Sequence, residues 1–311
     1  MNKWHRENIT VINSVQFSDD TLSSRLSMLA EIVKLRITIL VSFTTALGYF
    51  LVMEKVSINV IFPIIGIFLL ACSSAALNQY QERDTDKLMD RTKDRAIPSG
   101  RIKPLYVLYI SIFLLLSGSL ILILKTNAAA FLIGLLTFFW YNAVYTPLKK
   151  KMVLAIIPGS LVGALPPIAG WAAAGGGLTD INILYVALYF FVWQIPHFWL
   201  LLLIYGNDYE KGGFPVLTQK MEKKNIVLIT FSLLVLTVLI AAAMPFVISI
   251  NYIISSIILL LACSLMLLMA FNFVRSELNN KLVLKTFISI NIFTLLIISI
   301  LSIDKLIGLF I

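Results

Sequence analysis

Residues 58–100 read INVIFPIIGIFLLACSSAALNQYQERDTDKLMDRTKDRAIPSG, and the change of character at Asn78 decides what kind of molecule this is. Up to Leu77 the stretch is apolar for about 20 residues, the length a helix needs to cross roughly 30 Å of hydrocarbon. Beyond it the chain turns abruptly polar. Similar apolar blocks recur at about 28–53, 104–124, 127–146, 153–173, 181–204, 225–247, 251–273 and 286–309. Across 311 residues, 59% are apolar and 13% charged, a balance that a surface needing solvation throughout does not carry. The expected fold is an all-α polytopic membrane protein, with nine transmembrane helices around a central cavity. Residues 1–27 read as a cytoplasmic N-terminal tail and 28–311 as a single transmembrane domain.

The net charge of +9 invites a nucleic-acid reading, but its distribution excludes one. With the N-terminus placed in the cytoplasm, only Lys55, Lys125 and Lys305 of the 25 basic residues fall on the outer side. That asymmetry is a topology signal and predicts N-terminus in, C-terminus out, with the loops after even-numbered spans facing the cytosol. Cys72 and Cys263 sit inside apolar blocks without metal spacing and read as packed core residues. The first 25 residues are polar and mixed, so no cleavable signal peptide is expected.

The loops 79–103 and 205–224 are the polar ones, each following an even-numbered span, which hints at a weak internal duplication. In the first, Asn78, Glu82, Asp86 and Asp90 are spaced by four. If the second span continues past its apolar block, they form one stripe drifting about 40° per step. Like charges at that spacing oppose one another and call for a cation. Oxygen-only ligands suit Mg²⁺, which takes one or two carboxylates and completes its shell with water and substrate phosphates. Arg91 and Arg95, again four apart, offer guanidinium forks to the same phosphates. The alternative is a solvated loop whose acids and bases pair among themselves. Asp84, Lys87, Lys93 and Asp94 are assigned to the surface.

The second loop, YGNDYEKGGFPVLTQK from Tyr205 to Lys220, places Asp208 and Glu210 directly after the sixth span. A second carboxylate patch facing the first would clamp a diphosphate from both sides; ordinary solvation of acids at a helix end is the competing explanation. Lys34 and Arg36 lie in the first turns of the first span, where they either snorkel or meet phosphate oxygens. His197, in VWQIPHFWLLL, is an intramembrane histidine beside a helix-kinking Pro196, hence either functional or a hydrogen-bonded packing residue. Trp193, Phe198 and Trp199 around it either line a flat aromatic pocket or face lipid. Gly159, Gly163 and Gly170 read as small helix-packing residues. His5, in the tail, is expected to be inert.

Together these segments resemble the UbiA superfamily of membrane prenyltransferases and, within it, the protohaem-farnesylating branch. The superfamily's N-x-x-x-D-x-x-x-D is matched by Asn78, Glu82 and Asp86, its R-T-x-x-R by Arg91, Thr92 and Arg95, and P-S-G by Pro98 to Gly100. The runs YTPLKKK from Tyr145, GALPPIAGW from Gly163 and WQIPHFW from Trp193, with Lys34-Leu35-Arg36, resemble the haem branch more narrowly. The likeness covers about residues 30–220. Two departures stand out: Glu82 replaces an Asp, and Gly212 leaves the second motif without its D-x-x-x-D, so that Tyr205 or Tyr209 would donate a hydrogen bond instead.

The resemblance implies transfer of a farnesyl group from farnesyl diphosphate to haem b, with Mg²⁺ held by Asn78, Glu82, Asp86 and Asp208. Lys34, Arg36, Arg91, Arg95, Lys149 and Lys150 would bind the diphosphate. His197 and Trp193 would hold the haem, with His197 ligating or orienting its iron, and Tyr145, Tyr205 and Tyr209 would support. It further implies residence in the inner (plasma) membrane, in contact with the lipid bilayer, an active site facing the cytoplasm, and a haem A synthase downstream. Two rival readings are a relative that prenylates an aromatic quinone precursor, needing no intramembrane histidine, and a non-catalytic transporter. The gathering of polar residues at one interface disfavours the transporter.

Overall fold

The computed structural model describes residues 21–309, so His5, Lys3, Arg6 and most of the 1–27 segment lie outside the described residues. The described chain is helical and without strands. A short α1 (Leu22–Ile32) leads to α2 (Leu35–Val52), α3 (Ile61–Asp86), α4 (Pro104–Lys125) and α5 (Ala128–Phe139). The short α6 (Thr146–Leu148) and α7 (Ile156–Gly159) precede α8 (Leu161–Ala173), α9 (Ile181–Lys211), α10 (Lys223–Val247), α11 (Ile253–Arg275) and α12 (Asn280–Gly308). Among the described residues nine spans are long and apolar enough to cross a membrane, as expected from the apolar blocks.

Three boundaries differ from the sequence expectation, and each matters for the site. The first apolar block is not one helix. It breaks after α1, where Lys34 adopts a left-handed conformation (φ 50°, ψ 50°), an unfavourable state for a residue with a Cβ. The break survives because the Gln79 amide donates to the freed carbonyls of Glu31 and Ile32, at 2.9 and 3.1 Å. Second, the fourth span does not stay α-helical: Trp140–Tyr145 forms a π-helical segment, a distortion frequent at functional sites. Third, α9 does not stop near 204 but runs on to Lys211 through a kink at Tyr205 (φ −113°). Asp208 is therefore on a helix rather than in a loop. The condition for a stripe from Asn78 is met as far as Asp86, since α3 extends for 26 residues to that point.

Apolar faces that would be buried in a soluble core are here turned outward, as lipid demands: Phe113, Leu116 and Leu265 are among the exposed ones. Helix association must then rest on close packing and interhelical hydrogen bonds. α2 and α8 touch backbone to backbone: a Cβ on Gly48 would lie 1.9 Å from the Pro167 carbonyl oxygen, and one on Gly170 1.9 Å from that of Thr45. α3 meets α4 at Gly66 and Gly118, beside a reciprocal pair in which Ser73 Oγ donates to Ser111 O (2.7 Å) and Ser111 Oγ to Ser73 O (3.0 Å). The packing role expected for Gly159 and Gly163 also holds, against the Tyr145 ring and the Gln194 amide. Cys72 and Cys263 are buried and free.

Because the obstacle at Gly170 is backbone and cannot swing away, Gly170→Val is expected to destabilise the protein by about 1–3 kcal/mol. Gly177→Ala, whose Cβ meets nothing within 4 Å, is the neutral control. Thermal unfolding in detergent, followed by size-exclusion of the surviving monodisperse fraction, measures both.

Candidate functional site

The last two turns of α3 bury what a membrane helix ordinarily avoids. Asn78, Glu82 and Asp86 are 1%, 4% and 1% exposed. Burying charge is costly unless each group is paired, and each here has a cation of its own. Lys34 Nζ donates to Asn78 Oδ1 at 2.8 Å. Lys149 Nζ lies 2.6 and 2.8 Å from the two oxygens of Glu82. Arg95 Nη1 lies 2.8 Å from Asp86 Oδ2. The stripe expected from the four-residue spacing is thus a ladder of three oxygen groups facing three cations.

Each cation arrives from a different element. Lys34 is delivered by the α1–α2 break. Lys149 follows the π-helical segment, which is docked on α3 by Asn78 Nδ2 donating to Thr146 Oγ1 (3.2 Å) and Gln81 Nε2 to Asn142 O (3.2 Å). Arg95 comes from the loop 87–103, which buries Met89, Thr92, Ala96 and Ile97 and caps the end of α3. Thr92 Oγ1 closes that cap by donating to Asp86 O at 2.9 Å. Three cations face two carboxylates, and burial, with Arg95 and Lys149 nearby, pulls the Lys34 ammonium down to about 7. An anion entering the ladder would restore its full charge.

Not every expected residue joins the ladder. Asp90 lies beyond the end of α3, exposed, between Lys211 and Lys93, which hold its carboxyl down at about 2. Asp208 reaches the same neighbourhood, but both its oxygens are engaged by backbone: Asp90 N–H at 2.7 Å and Arg91 N–H at 3.0 Å. It fastens the loop that carries Arg95 rather than facing Asp86. Arg91 is exposed, stacked over Tyr205 and Tyr209 at 5.0 and 5.6 Å, and donates to Tyr209 Oη (3.3 Å). Arg36 is exposed on the first turn of α2, and Lys150 on the rim reaches only the Gln81 carbonyl at 3.5 Å. Tyr145 is buried beside Lys149 (5.6 Å) and stacks on Phe198. A small hollow opens here, lined by Tyr145, Lys149, Phe198, Tyr209 and Phe214.

His197 lies about 16 Å up α9 from Asp208. It belongs to a seam with α12 in which Tyr189 Oη meets Thr294 Oγ1 (2.8 Å) and Trp193 Nε1 donates to Ile290 O (3.3 Å). The imidazole sits between the rings of Trp193 and Phe287, each centroid 4.9 Å away, with Phe198 edge-on at 5.5 Å. Phe198 thereby links this seam to Tyr145 and the ladder.

Several contributors were not anticipated. Glu31 on α1 accepts from Ala96 N (2.8 Å) and Arg101 (2.7 Å), anchoring the far end of the 87–103 loop. Its partners are distant in sequence, and nothing local announces them. Thr146 lies inside the YTPLKKK run, and only its contact with Asn78 gives it a role.

Among the described residues no three His, Cys, Asp or Glu side chains gather closely enough to hold a metal alone. The ladder nonetheless fits a hard cation that shares its ligands with a phosphate. Its donors are oxygens only, and Asp86 Oδ1 is buried with no hydrogen-bond partner.

A model of the UbiA prenyltransferase family matches residues 41–293. Relatives named protoheme IX farnesyltransferase include one from Geobacter sulfurreducens, 37% identical over 183 residues (59% of this chain, 67% of that protein). Another, from Christiangramia forsetii, is 38% identical over 195 residues, or 62% of this chain and 64% of that protein. The aligned part spans about two thirds of these relatives' length. The solved structure of a digeranylgeranylglyceryl phosphate synthase superposes with a TM-score of 0.72 at 17% identity, covering 91% of this chain and 99% of that one. A UbiA homologue from Archaeoglobus fulgidus, bound to GPP and Mg²⁺, gives 0.64 at 16% identity, covering 88% and 99%. Those two likenesses establish a shared fold, and the family match covers most of the nine spans. The motif around Asn78 and the helical architecture lead to one assignment: this chain belongs to the UbiA prenyltransferase family.

Proposed function

We propose that the protein transfers the farnesyl group of farnesyl diphosphate to a vinyl group of haem b, with Mg²⁺ as cofactor, giving haem O. The observation that carries the proposal is the buried ladder of Asn78, Glu82 and Asp86 with Lys34, Lys149 and Arg95. Its oxygen donors suit a magnesium diphosphate, and its surplus cation suits the anion left behind. The haem acceptor rests on the relatives' name and on the WQIPHFW run, which holds the one histidine among the described residues. The distribution of basic residues supports a bacterial inner membrane location with the ladder at the cytosolic mouth.

Asn78, Glu82 and Asp86 would hold Mg²⁺, which when bound supplies Lewis-acid charge to the diphosphate. Lys34, Lys149 and Arg95 bind the phosphate oxygens. As the allylic C–O bond breaks, its electron pair leaves with the diphosphate, and cations already in position stabilise that charge without reorganising. Asp208 acts at one remove, positioning Arg95 by holding the loop. Arg91, Lys150 and Arg36 sit at the rim and draw the anion in. Tyr145, Phe198 and Phe214 keep water from the allylic cation. The vinyl π electrons then form the new C–C bond, and water adds to the cation left on the haem side, losing a proton to give the hydroxyethyl-farnesyl group. Trp193 and His197 border the acceptor.

Asp86→Asn keeps the shape but removes the charge opposite Arg95. Haem O per folded protein, measured by mass spectrometry of extracted haems, is expected to fall at least about 100-fold; near-wild-type yield would sink the assignment. With farnesyl diphosphate and haem b supplied to the purified protein, EDTA is expected to stop diphosphate release and excess Mg²⁺ to restore it. The same assay with 4-hydroxybenzoate as acceptor decides the aromatic alternative, since consumption of that acid alone would replace haem as the substrate.

A further inference from the structure

Two of the three ladder cations are joined through a residue that the mechanism above does not use. Glu31, in the last turn of α1, acts with both its backbone and its side chain. Its carbonyl accepts the Lys34 N–H at 3.1 Å and the Gln79 amide at 2.9 Å, so it shapes the left-handed break that aims Lys34 at Asn78. Its carboxylate reaches the capping loop: Oε1 accepts the Ala96 N–H at 2.8 Å, and Oε2 the Arg101 guanidinium at 2.7 Å. Ala96 directly follows Arg95, whose Nη1 meets Asp86. Beside this link Ile32, Ala96 and Ile97 are buried in one cluster with Ala76 of α3 and Val107 of α4. The Arg101 ion pair is half exposed, and such a pair alone contributes little. The two backbone engagements differ in kind, because each fixes the root of a side chain that ends on a ladder oxygen.

We propose that Glu31 is a positioning residue that holds Lys34 and Arg95 in register, so that the donor diphosphate meets both cations as one preformed pair. The inference rests on the farnesyl-transferring function proposed above and deepens it. Lys and Arg side chains lose much rotamer freedom when they are fixed on a phosphate. Setting the backbone under both beforehand lowers that cost, which is the advantage of any preorganised site. The two segments are also coupled: whatever loosens the loop at Ala96 loosens the turn that carries Lys34, since one residue grips both.

The test is hydrogen–deuterium exchange of peptides spanning 31–38 and 90–97 in the purified full-length protein. It is titrated with farnesyl thiolodiphosphate, a slowly cleaved donor analogue, in the presence of Mg²⁺ and without haem. In the wild-type protein the analogue is expected to protect both peptides. In Glu31→Leu without ligand, 31–38 should exchange at least about 10-fold faster, although the substitution leaves the backbone hydrogen bonds of that segment available. The protection midpoint should rise at least about 10-fold, in the range for loss of hydrogen bonds to a charged group. Glu31→Gln is nearly isosteric and keeps the test open if Glu31→Leu fails to fold. It should shift both readouts the same way, at least about 3-fold, because the acceptor loses its charge. A residue that only stabilises the fold would lower the melting temperature and leave the ligand midpoint in place. An unmoved midpoint, or unchanged exchange of 31–38, in a folded variant therefore overturns the inference. Protection of neither peptide in the wild-type protein would instead overturn the ladder as a diphosphate site, and this inference with it.

Discussion

A buried carboxylate in a membrane helix must have a countercharge at hydrogen-bond distance, and that constraint organises one end of this molecule. Glu82 and Asp86 can occupy the inner face of α3 only because Lys149 and Arg95 reach them. Asn78 similarly receives Lys34. None of the three cations lies on a regular stretch of span. One sits at a left-handed break, one follows a π-helical turn, and one belongs to a capping loop. Departures from ideal helix are concentrated where charge must be delivered.

The supporting shell obeys the same rule at one remove. Gln79 occupies the carbonyls exposed by the break at Lys34. Glu31 and Asp208 hold the two ends of the 87–103 loop through its backbone N–H groups. Asp208 thus shapes the ladder at one remove, through the loop that carries Arg95. Further along α9, the contacts of Tyr189, Trp193 and His197 recur every four residues against α12.

Much of this was legible in the sequence, because hydrophobic length and four-residue spacing are local. The spans, the stripe on α3, the family motif and the interest of His197 all follow from such patterns. The break at Lys34 was not legible: its stabilising amide, Gln79, is far along the chain, and a lysine in a left-handed conformation has no local signature. The double engagement of Asp208 was hidden for a related reason, since its partners are backbone amides of another loop and leave no trace in residue identity. Arg91 and Asp90 kept the right periodicity but fell past the end of α3, where periodicity stops meaning a shared face.

While the ladder is empty, Lys34, its third cation, is held down to about 7 by burial and by Arg95 and Lys149. An anion entering beside it would restore that charge, so the site is most strongly cationic when it is occupied. On the function proposed above, released pyrophosphate and inorganic phosphate would compete with the donor for the same three cations. Any such anion would lie under the 87–103 cap, which Glu31 and Asp208 fasten through its backbone N–H groups.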